Sequence, residues 1–350
     1  MTEDRYLETE TALRAAPKTW LVTGAAGFIG SHLTERLLAL GQTVVGLDNF
    51  ATGKERNLDA VKESVGAQAA QRFTFITGDI RDLATCHRGC GDVDIVLHQA
   101  ALGSVPRSMS DPLTSHAVNV DGFLNMLVAA RDARVGRFVY ASSSSVYGDS
   151  IASPKHEKDT GKVLSPYAAT KAINELYGRL WYDAYGLETI GLRYFNVFGA
   201  RQDPEGPYAA VIPRWLANLC AEKPCIIYGD GTTSRDFCYI ENVVRANILA
   251  ATANAGMGEA FNVACGEKTS LNELYTALRR GVEEKLGKAL FDAQHEDFRA
   301  GDIKHSLAVI ENAERLLGYA PAIKVAEGLR RTVEAFLRES SAAAPLARLA

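Results

Sequence analysis

The feature of the sequence that most constrains its fold is an alternation of short apolar runs with longer amphipathic stretches, from about residue 18 to residue 195. The runs are rich in β-branched and aromatic residues, which predicts strands, and they are largely uninterrupted by polar residues, which predicts burial on both faces of a sheet. Strands that alternate with helices indicate parallel βαβ units and a doubly wound α/β fold. The predicted strands are Trp20–Thr23, Thr43–Asp48, Phe73–Thr77, Ile95–His98, Phe138–Ser142 and Thr189–Tyr194.

The pattern changes after about residue 195, where loop-like segments interrupt the alternation. This change predicts a second, smaller α/β domain that binds a substrate. The predicted boundaries are a helical lead-in over 1–17, a sheet domain over 18–195 that 237–265 rejoins, an interrupted substrate domain over 196–236 and 266–338, and an Ala-rich tail over 339–350.

Composition gives no indication of a nucleic-acid or membrane partner. The net charge of −4 gives no reason to expect nucleic acid or an anionic membrane. The N-terminus is charged and lacks the apolar core of a secretory signal, and no stretch approaches the ~18 apolar residues of a membrane span. The six cysteines form no CxxC pair and the seven histidines lack ligand spacing. We therefore expect reduced thiols, a cytoplasmic protein and no metal site.

A glycine-rich turn follows the first predicted strand. Gly24, Gly27 and Gly30 are spaced Gly-x-x-Gly-x-x-Gly at the start of an amphipathic helix. Glycines at such positions allow the backbone to approach a pyrophosphate, whose negative charge the helix N-terminus favours. The triplet alone fits an ordinary strand–helix turn equally well, but its position between a buried strand and an amphipathic helix favours a dinucleotide site.

Two carboxylates follow the next two predicted strands. Asp48 ends the second strand, eighteen residues after Gly30. A carboxylate there accepts hydrogen bonds from an adenosine ribose and repels a 2′-phosphate, which favours NAD over NADP. The alternative is that Asp48 and Asn49 only cap a turn. Asp79, after the third strand, is placed to meet the adenine edge.

Tyr167 and Lys171 stand four residues apart at the start of a helical run, with Pro166 in its first turn. This spacing puts both side chains on one helix face, where the lysine cation is expected to lower the pKa of the phenol and make it a general base. The pair alone is common on helices. However, the serine-rich segment Ala141–Tyr147 follows the fifth strand, so that hydroxyls emerge at the carboxyl edge of the sheet, where open α/β folds bind ligands.

Together these motifs resemble the extended short-chain dehydrogenase/reductase family, and specifically its nucleotide-sugar 4-epimerases. The similarity runs from about Lys18 to Leu337. It is carried by Thr-Gly-x-x-Gly-x-x-Gly, His98–Ala101, the serine run, Tyr167-x-x-x-Lys171, Arg193–Gly199 and the segment from Gly231 through Ser234–Phe237. The most similar subgroup is the UDP-N-acetylglucosamine 4-epimerases of bacterial surface-polysaccharide pathways, which share Ala101–Ser108 and Arg201–Pro204.

The resemblance implies a Rossmann domain, NAD as cofactor and a UDP-sugar as substrate. It implies that Tyr167 is the base at the sugar 4-hydroxyl, that Ser143 hydrogen-bonds the same hydroxyl, and that Lys171 holds the nicotinamide ribose. The implied cofactor residues are Gly24, Gly27, Phe28, Ile29, Gly30, Asp48, Asn49, Asp79, Ile80, Gln99, Ala100, Ala101, Tyr167, Lys171 and Tyr194. The implied substrate residues are Gly103, Ser104, Ser143, Ser144, Ser145, Asn196, Gln202, Tyr228, Arg235, Arg299, Asp302 and Ser306.

Within the substrate set, Asn196, Arg235 and Arg299 match residues that hold the diphosphate, since guanidinium groups suit phosphate oxygens. For each arginine, the alternative interpretation is an exposed charge that keeps the protein soluble and binds no ligand. By the same match Asp302 meets the uridine ribose or a neighbouring loop, and the strand that ends at Tyr228 borders the uracil.

The expected reaction is redox-neutral: the 4-hydroxyl is oxidised, the 4-keto sugar presents its other face, and the hydride returns, so NAD is expected to stay bound. A 4,6-dehydratase needs an acid/base pair where this chain has Ser144 and Ser145. A UDP-glucuronate enzyme and a UDP-glucose/UDP-galactose epimerase stay open as alternatives. A non-catalytic NAD-binding regulator is disfavoured by the intact Tyr167 and Lys171.

By resemblance, galactose-type epimerases carry bulkier residues at the positions of Gly103 and Ser306, so small residues there favour an N-acetylated sugar. The alternative is that both are ordinary loop residues. The resemblance also implies a homodimer that packs the helices near 112–131 and 167–185 into a four-helix bundle.

Overall fold

The computed structural model describes residues 2–205, 209–298 and 304–343. In chain order its strands are β1 (Thr19–Thr23), β2 (Thr43–Asp48), β3 (Phe73–Thr77), β4 (Ile95–His98), β5 (Arg137–Ser143), β6 (Glu188–Tyr194), β7 (Val197–Phe198), β8 (Ile226–Tyr228), β9 (Ser234–Arg235), β10 (Cys238–Tyr239), β11 (Glu259–Val263), β12 (Thr269–Ser270) and β13 (Gln294–Glu296). Its α-helices are α1 (Thr2–Ala15), α2 (Phe28–Ala39), α3 (Glu55–Ala70), α4 (Leu83–Cys90), α5 (Val105–Ser110), α6 (Pro112–His116), α7 (Gly122–Asp132), α8 (Pro166–Tyr185), α9 (Val211–Cys220), α10 (Ile240–Thr252), α11 (Leu271–Leu286) and α12 (Val325–Ala343). Two π-helical segments, Ala117–Asp121 and Ala313–Leu317, and a 3₁₀ turn, Ser144–Tyr147, complete these elements.

Seven strands form one parallel sheet in the order β11-β6-β5-β4-β1-β2-β3. Each of the six strands predicted from the sequence is present, and its ends differ from the prediction by at most one residue. The prediction of a doubly wound α/β fold with a parallel sheet is therefore confirmed. The seventh strand, β11, hydrogen-bonds to β6 and comes from the segment 237–265.

The apolar runs are uninterrupted because successive side chains enter two different cores. Trp20 and Val22 of β1 belong to the core beneath α2 and α10, whereas Leu21 belongs to the core beneath α4, α7 and α8. All three side chains are fully buried. Since burial of such a side chain contributes about 1.5–3 kcal/mol, each strand is stabilised from both faces.

The order of the strands determines where a ligand can bind. β1 has β2 on one side and β4 on the other, so the connections that leave the carboxyl ends of β1 and β4 diverge to opposite faces of the sheet. Open α/β sheets bind ligands in the crevice at such a point. The glycine turn after β1 and the segment Gln99–Gly103 after β4 border this crevice.

The predicted lead-in is helical: α1 packs against the sheet domain through Tyr6 and Leu13, which are buried. The Gln42 side chain donates to the carbonyl of Leu13 at 2.9 Å, which attaches the helix to the loop before β2. At the other end the predicted tail was set too early. α12 continues to Ala343, past residue 339, because the Ala-rich segment has high helix propensity.

The C-terminal half adds three two-stranded sheets, β10-β7, β12-β9 and β13-β8, to α9, α11 and α12. Residue 196 follows the carboxyl end of β6, and Asp236, which follows β9, is bonded to the residues after β11, so these two segments lie beside the carboxyl edge of the large sheet. The exact division into two domains stays a prediction. Among the described residues, no helix combines the length and the apolarity that a membrane crossing requires.

Candidate active site

The glycine turn is built so that only glycine fits at two of its positions. Gly24 has a φ of +69°, and a Cβ there would lie 2.9 Å from the backbone nitrogen of Ala100. A Cβ at Gly30 would lie 2.1 Å from the carbonyl oxygen of Gly24. The helix α2 therefore packs directly against the turn, and no side chain caps its N-terminus at Gly27. Its first amide N–H groups suit an anion such as a pyrophosphate.

A cavity of about 370 Å³ opens above this turn. Every cofactor residue predicted outside α8 and β6 lines it: Gly24, Gly27, Phe28, Ile29, Gly30, Asp48, Asn49, Asp79, Ile80, Gln99, Ala100 and Ala101. The sequence analysis missed further lining residues, namely Leu47, Ala51, Thr52, Gly78, Arg81, Leu102, Thr114 and Val118. Gly103, predicted to contact substrate, also lines this cavity. The shape and the uncapped helix fit a dinucleotide.

The carboxylate of Asp48 is buried and already has backbone partners. It accepts hydrogen bonds from the amide of Ala26 at 3.0 Å and the amide of Phe50 at 2.8 Å. Burial raises its pKa, and these amide bonds oppose that shift. Since each carboxylate oxygen has a second lone pair, Asp48 can still accept from a ribose hydroxyl while it shapes the loop around the cavity.

Asp79, which lines the cavity, is held by two neighbours. Arg81 binds both of its oxygens, at 3.0 and 2.8 Å, and the amide of Asn49 donates to it at 2.8 Å. The Arg81 contact lowers the pKa of Asp79 to about 2. This pair fixes the loops after β2 and β3 relative to each other.

The three predicted catalytic residues meet at the carboxyl edge of the sheet. Ser143 is the last residue of β5, and Tyr167 and Lys171 lie in the first two turns of α8. The side chain of Ser143 lies close enough to the Tyr167 phenol to lower its pKa. The N-terminus of α8 is fixed by the Ser165 side chain, which caps it, and by Ser108, whose Oγ accepts from the Tyr167 amide at 3.0 Å.

Lys171 is buried, and its ammonium group donates to the carbonyl of Ala141 at 2.8 Å. Burial lowers the pKa of Lys171 to about 8, opposed by the negative charge of Glu175. The ammonium retains two further N–H groups. These protons suit the hydroxyls of a nicotinamide ribose, as predicted for this residue.

One expectation for this pair is wrong. We expected the lysine to lower the pKa of Tyr167, but burial raises that pKa, and only the nearby side chain of Ser143 opposes the rise. The reason is geometric: the Lys171 ammonium lies 6.0 Å from the centre of the Tyr167 ring and is bonded to a backbone carbonyl.

The serines after Ser143 form a 3₁₀ turn. The Oγ of Ser143 accepts from the amide of Ser145 at 3.1 Å, which starts the turn. The Oγ of Ser145 is buried and has no hydrogen-bond partner among the described residues. A buried hydroxyl without a partner is unfavourable, so Ser145 is prepared to bind a polar ligand. The turn places no carboxylate at positions 144 and 145.

Tyr194 lies behind the cavity and does not line it. Its hydroxyl donates to Gln99 at 3.0 Å and accepts from Asn247 of α10 at 2.8 Å. Burial raises the pKa of this phenol. Tyr194 thus supports Gln99, which lines the cavity, and its direct contact with a cofactor stays a prediction. Asn247 was missed because its neighbours in sequence carry no motif.

Several predicted substrate residues lie together on the C-terminal side. The amide of Asn196 donates to the carbonyl of Asp236 at 3.1 Å, next to Arg235. The backbone of Ser306 donates to the carbonyl of Ser234 at 3.1 Å, on the other side of Arg235. The amide of Gln202 donates to Val197 at 3.1 Å, and its Oε1 is buried without a partner among the described residues.

Asp236 holds this region together and was missed from the sequence. Its fully buried carboxylate accepts from the amides of Cys265, Gly266 and Ala308, at 2.9, 3.1 and 3.3 Å. It thus ties the segment that carries Ser306 to the strand that carries Arg235. Burial raises the pKa of Asp236 to about 6, opposed by these three amides.

Ser104 and Tyr228 are the remaining predicted residues that the structure describes. Ser104 has a φ of +101°, and its Oγ caps α5 by accepting from the Arg107 amide at 3.2 Å. Tyr228 ends β8, which pairs with β13. Arg299 and Asp302 lie outside the described residues.

Asn119 is a further residue that the sequence analysis missed. It lies in the π-helical segment Ala117–Asp121, and its side chain binds both backbone groups of Leu102, at 2.8 and 3.0 Å. It also donates to Thr170 of α8 at 3.2 Å. Asn119 therefore couples the loop that carries Gly103 to the helix that carries Tyr167.

Comparisons with known proteins were made on this background. The sequence profile of a family described as the NAD dependent epimerase/dehydratase family matches residues 20–264. The chain is 38% identical over 322 residues to UDP-glucose 4-epimerase from Mycolicibacterium smegmatis, which covers 91% of this chain and 99% of that protein. It is 35% identical over 324 residues to UDP-glucuronate 4-epimerase from Thermodesulfobacterium geofontis, which covers 90% and 94%. A solved structure of UDP-N-acetylglucosamine 4-epimerase from Methanobrevibacter ruminantium, in complex with UDP-N-acetylmuramic acid, matches with a TM-score of 0.84 and 38% identity over 92% of this chain and 99% of that one.

Proposed function

Because this chain belongs to the NAD dependent epimerase/dehydratase family, we propose that it catalyses the reversible 4-epimerisation of a UDP-sugar, with UDP-N-acetylglucosamine and UDP-N-acetylgalactosamine as its preferred pair. The observation that carries the proposal is the meeting of Ser143, Tyr167 and Lys171 beside a cavity whose glycine turn fits a dinucleotide. Three names of similar proteins agree on 4-epimerisation and differ in the sugar.

NAD is the cofactor of this family, and the cavity residues are those that hold it. The first turn of α2 would bind the pyrophosphate of NAD, and Asp48 would accept from its adenosine ribose. A cofactor held there would supply the hydride acceptor, and later the hydride donor, for carbon 4 of the sugar.

The residues of the chain manage the proton and the orientation. Tyr167 accepts the proton of the 4-hydroxyl and returns it after inversion, while Ser143 holds the oxygen that changes between hydroxyl and carbonyl. Lys171 holds the ribose of the cofactor and supplies a positive charge next to the phenol ring. Asn196 and Arg235, joined through Asp236, hold the diphosphate about which the sugar turns. Arg299 is proposed as a third diphosphate ligand and Asp302 as a contact of the uridine ribose.

The family also contains dehydratases, and the residues of this site do not favour that activity. Elimination requires an acid and a base beside the catalytic serine. Positions 144 and 145 are serines in a 3₁₀ turn, and their hydroxyls are far too weakly acidic for that role. The site therefore supports oxidation at carbon 4 followed by reduction.

The preference for an N-acetylated sugar rests on space and on unpartnered polar atoms. A Cβ at Gly103 would meet no atom within 4 Å, so the cavity is open at this residue. Gln202 offers a buried carbonyl oxygen and Ser145 a buried hydroxyl, both without a partner among the described residues. An acetamido group has the N–H donor and the carbonyl acceptor that would satisfy them. Such a product is a precursor for surface polysaccharides.

We also propose that the chain forms a homodimer through α6, α7 and α8. Leu113, Leu176 and Leu180 are 83%, 71% and 49% exposed on these packed helices. An apolar surface of this kind is typical of a protein–protein interface. The six free cysteines suit a reducing compartment, and we propose a cytoplasmic location.

The deciding experiment incubates the purified protein separately with UDP-GlcNAc, UDP-GalNAc, UDP-Glc, UDP-Gal and UDP-glucuronate and follows inversion at carbon 4 by NMR. We expect inversion, fastest with the N-acetylated pair. A stable 4-keto-6-deoxy product would identify a dehydratase, and a folded protein that inverts none of the five would falsify the proposal.

The preference is tested with Gly103→Phe, which fills the open space at this residue. We expect this variant to lose at least about tenfold in kcat/KM for the N-acetylated pair. Its rate with UDP-Glc and UDP-Gal serves as the internal control. An equal loss for both pairs would remove Gly103 from the specificity argument.

A further inference from the structure

The carboxylate of Glu175 lies one helical turn beyond Lys171, so that Tyr167, Lys171 and Glu175 form one stripe along α8. It is largely buried and joins three elements of the fold. Its Oε1 accepts from the hydroxyl of Ser142 at 2.5 Å and from Nε of Arg193 at 2.8 Å, and its Oε2 accepts from Nη2 of Arg193 at 2.7 Å.

We propose that Glu175 is a positioning residue of the catalytic site: it locks α8, the end of β5 and the end of β6 into one arrangement and supplies the negative charge that faces Lys171. The proposal rests on the proposed function. Ser142 immediately precedes Ser143 on β5. Glu175 thus holds the residue next to the serine that acts on Tyr167.

The ion pair with Arg193 extends this lock into the fold. The Arg193 side chain is only 7% exposed, and its Nη1 donates to the hydroxyl of Tyr147 at 3.1 Å and to the carbonyl of Glu157 at 2.7 Å. The Tyr147 hydroxyl donates in turn to Asn262 of β11 at 2.6 Å. A bidentate arginine–carboxylate pair fixes orientation as well as distance, which suits a positioning role.

The charge of Glu175 has a separate consequence for Lys171. Burial favours the neutral amine, and the negative charge of Glu175 counteracts it. If Glu175 is neutralised, the charge that opposes the effect of burial is lost, so the pKa of Lys171 must fall.

The other titratable groups near this pair do not replace Glu175. His98 of β4 is held neutral because burial lowers its pKa to about 3, and burial raises the pKa values of Tyr140 and Tyr147. Elements packed against α8 also carry Asp111, His116, Asp121 and Glu259, which are exposed, and Arg107 and Arg131, which are partly exposed. Glu157 meets Arg193 through its backbone carbonyl. Glu175 is thus the carboxylate that acts on Lys171.

The test compares Glu175→Gln with wild type in two measurements. One is the pH profile of kcat. The other is an NMR titration of protein labelled with ¹³C at the lysine ε-carbon, in which Lys171→Arg assigns the resonance. In wild type we expect Lys171 to titrate near pH 8 and kcat to fall above it, because the ammonium is lost. In Glu175→Gln both the titration and the alkaline fall of kcat should move down by about one pH unit or more, with KM changed little.

Two further variants separate positioning from general damage. Glu188→Gln removes the carboxylate partner of Arg137, a buried arginine that pairs with Glu188 at 2.7 Å. Both residues lie at the amino ends of β5 and β6, far from the carboxyl ends where Ser142 and Arg193 lie. This variant should leave the Lys171 titration unchanged. Ser142→Ala keeps the Glu175–Arg193 pair. We expect this variant to have a several-fold lower kcat, while its KM and its Lys171 titration stay as in wild type.

The proposal can be tested even if Glu175→Gln does not fold. The kcat of Ser142→Ala and the Lys171 titration of the conservative variant Glu175→Asp can still be measured. Glu175→Asp keeps the charge and should keep the Lys171 titration near that of wild type. A Glu175→Gln titration and pH profile identical to those of wild type would overturn the proposal, as would a Ser142→Ala variant with full kcat. If the wild type inverts no UDP-sugar, the proposed function fails, while the NMR titration still tests the link between Glu175 and Lys171.

Discussion

The ammonium group of Lys171 lies 6.0 Å from the centre of the Tyr167 ring and is bonded at 2.8 Å to the carbonyl of Ala141. It therefore lies over the face of the phenol ring, and Ser143 is the side chain that lowers the pKa of the Tyr167 hydroxyl. In the protein alone, burial keeps the phenol protonated. A base at this position must gain its activity from the charges that assemble when cofactor and substrate bind.

The first prediction concerns the hydroxyl of Tyr167. Tyr167→Phe keeps the ring that Lys171 contacts and removes only the group that exchanges a proton with the substrate. We expect kcat to fall by roughly 10²–10⁴-fold, with the free energy of unfolding nearly unchanged. Steady-state kinetics and urea unfolding measure the two quantities.

The matched control is Tyr177→Phe, nearly three turns later on the same helix, where the ring packs edge-on against Trp181 at 5.7 Å. It should keep the wild-type kcat. Full activity in Tyr167→Phe would remove the proposed base, and an equal loss in both variants would indicate a general effect on α8.

The glycine turn gives a second prediction. Gly30→Ala places a Cβ about 2.1 Å from the carbonyl oxygen of Gly24, which is backbone and cannot rotate away. The turn must move, so we expect a loss of about 3 kcal/mol or more in the free energy of unfolding and loss of retained NAD. Gly136→Ala is the control, because its Cβ meets its nearest atom at 3.5 Å. Gly30→Ala with wild-type stability and NAD content would contradict the close packing of α2.

How much of this was predictable depends on the range of the interactions. The strands and the glycine turn are encoded locally, in runs such as Thr43–Asp48 and in the spacing of three glycines, so the sequence predicts them to within a residue or two. The direction of the Tyr167 pKa was predicted wrongly, because it depends on burial by distant segments and on a carbonyl that captures Lys171.

The supporting polar network was not predictable for a similar reason. Glu175 and Arg193 lie eighteen residues apart on a helix and a strand, and each reads in the sequence as an ordinary surface charge. Only the register of β5 against β6 brings the Ser142 and Arg193 side chains to the same carboxylate. The sequence thus specifies which residues meet the ligands more readily than which residues hold them in place.

The third prediction is a pH dependence of stability that Asp236 causes. Its pKa is raised from 3.8 to about 6 in the folded protein. The folded state therefore binds more protons than the unfolded state between these values, and the contribution of Asp236 to stability falls as the pH rises from about 4 to about 6. The difference between these two pKa values corresponds to roughly 3 kcal/mol in the free energy of unfolding.

Urea unfolding of wild type and Asp236→Asn at pH 4, 5, 6 and 7 measures this effect. Relative to the variant, which does not titrate, wild type should lose roughly 3 kcal/mol between pH 4 and pH 6.5 and nothing further above that. Asp236→Asn should be less stable at every pH, because one of the two oxygens becomes an NH₂ group, which then faces either the amide of Cys265 or the amides of Gly266 and Ala308. A constant difference between the two proteins across this range would show that Asp236 titrates normally.

The last prediction concerns Asn119, which binds the loop at Leu102 and the helix at Thr170 with one side chain. Asn119→Leu has a similar volume and removes all three hydrogen bonds, leaving both backbone groups of Leu102 unpaired. We expect a loss of about 2–3 kcal/mol in stability and weaker binding of NAD, because Leu102 and Gly103 line the cavity.

Asn174→Leu is the control: it removes a buried hydrogen bond of 2.7 Å to the carbonyl of Asn119 but none to Leu102. It should lose comparable stability and keep its NAD, as measured by urea unfolding and by the amount of NAD released on denaturation. Equal retention of NAD by both variants would mean that Asn119 stabilises the fold without shaping the cofactor site.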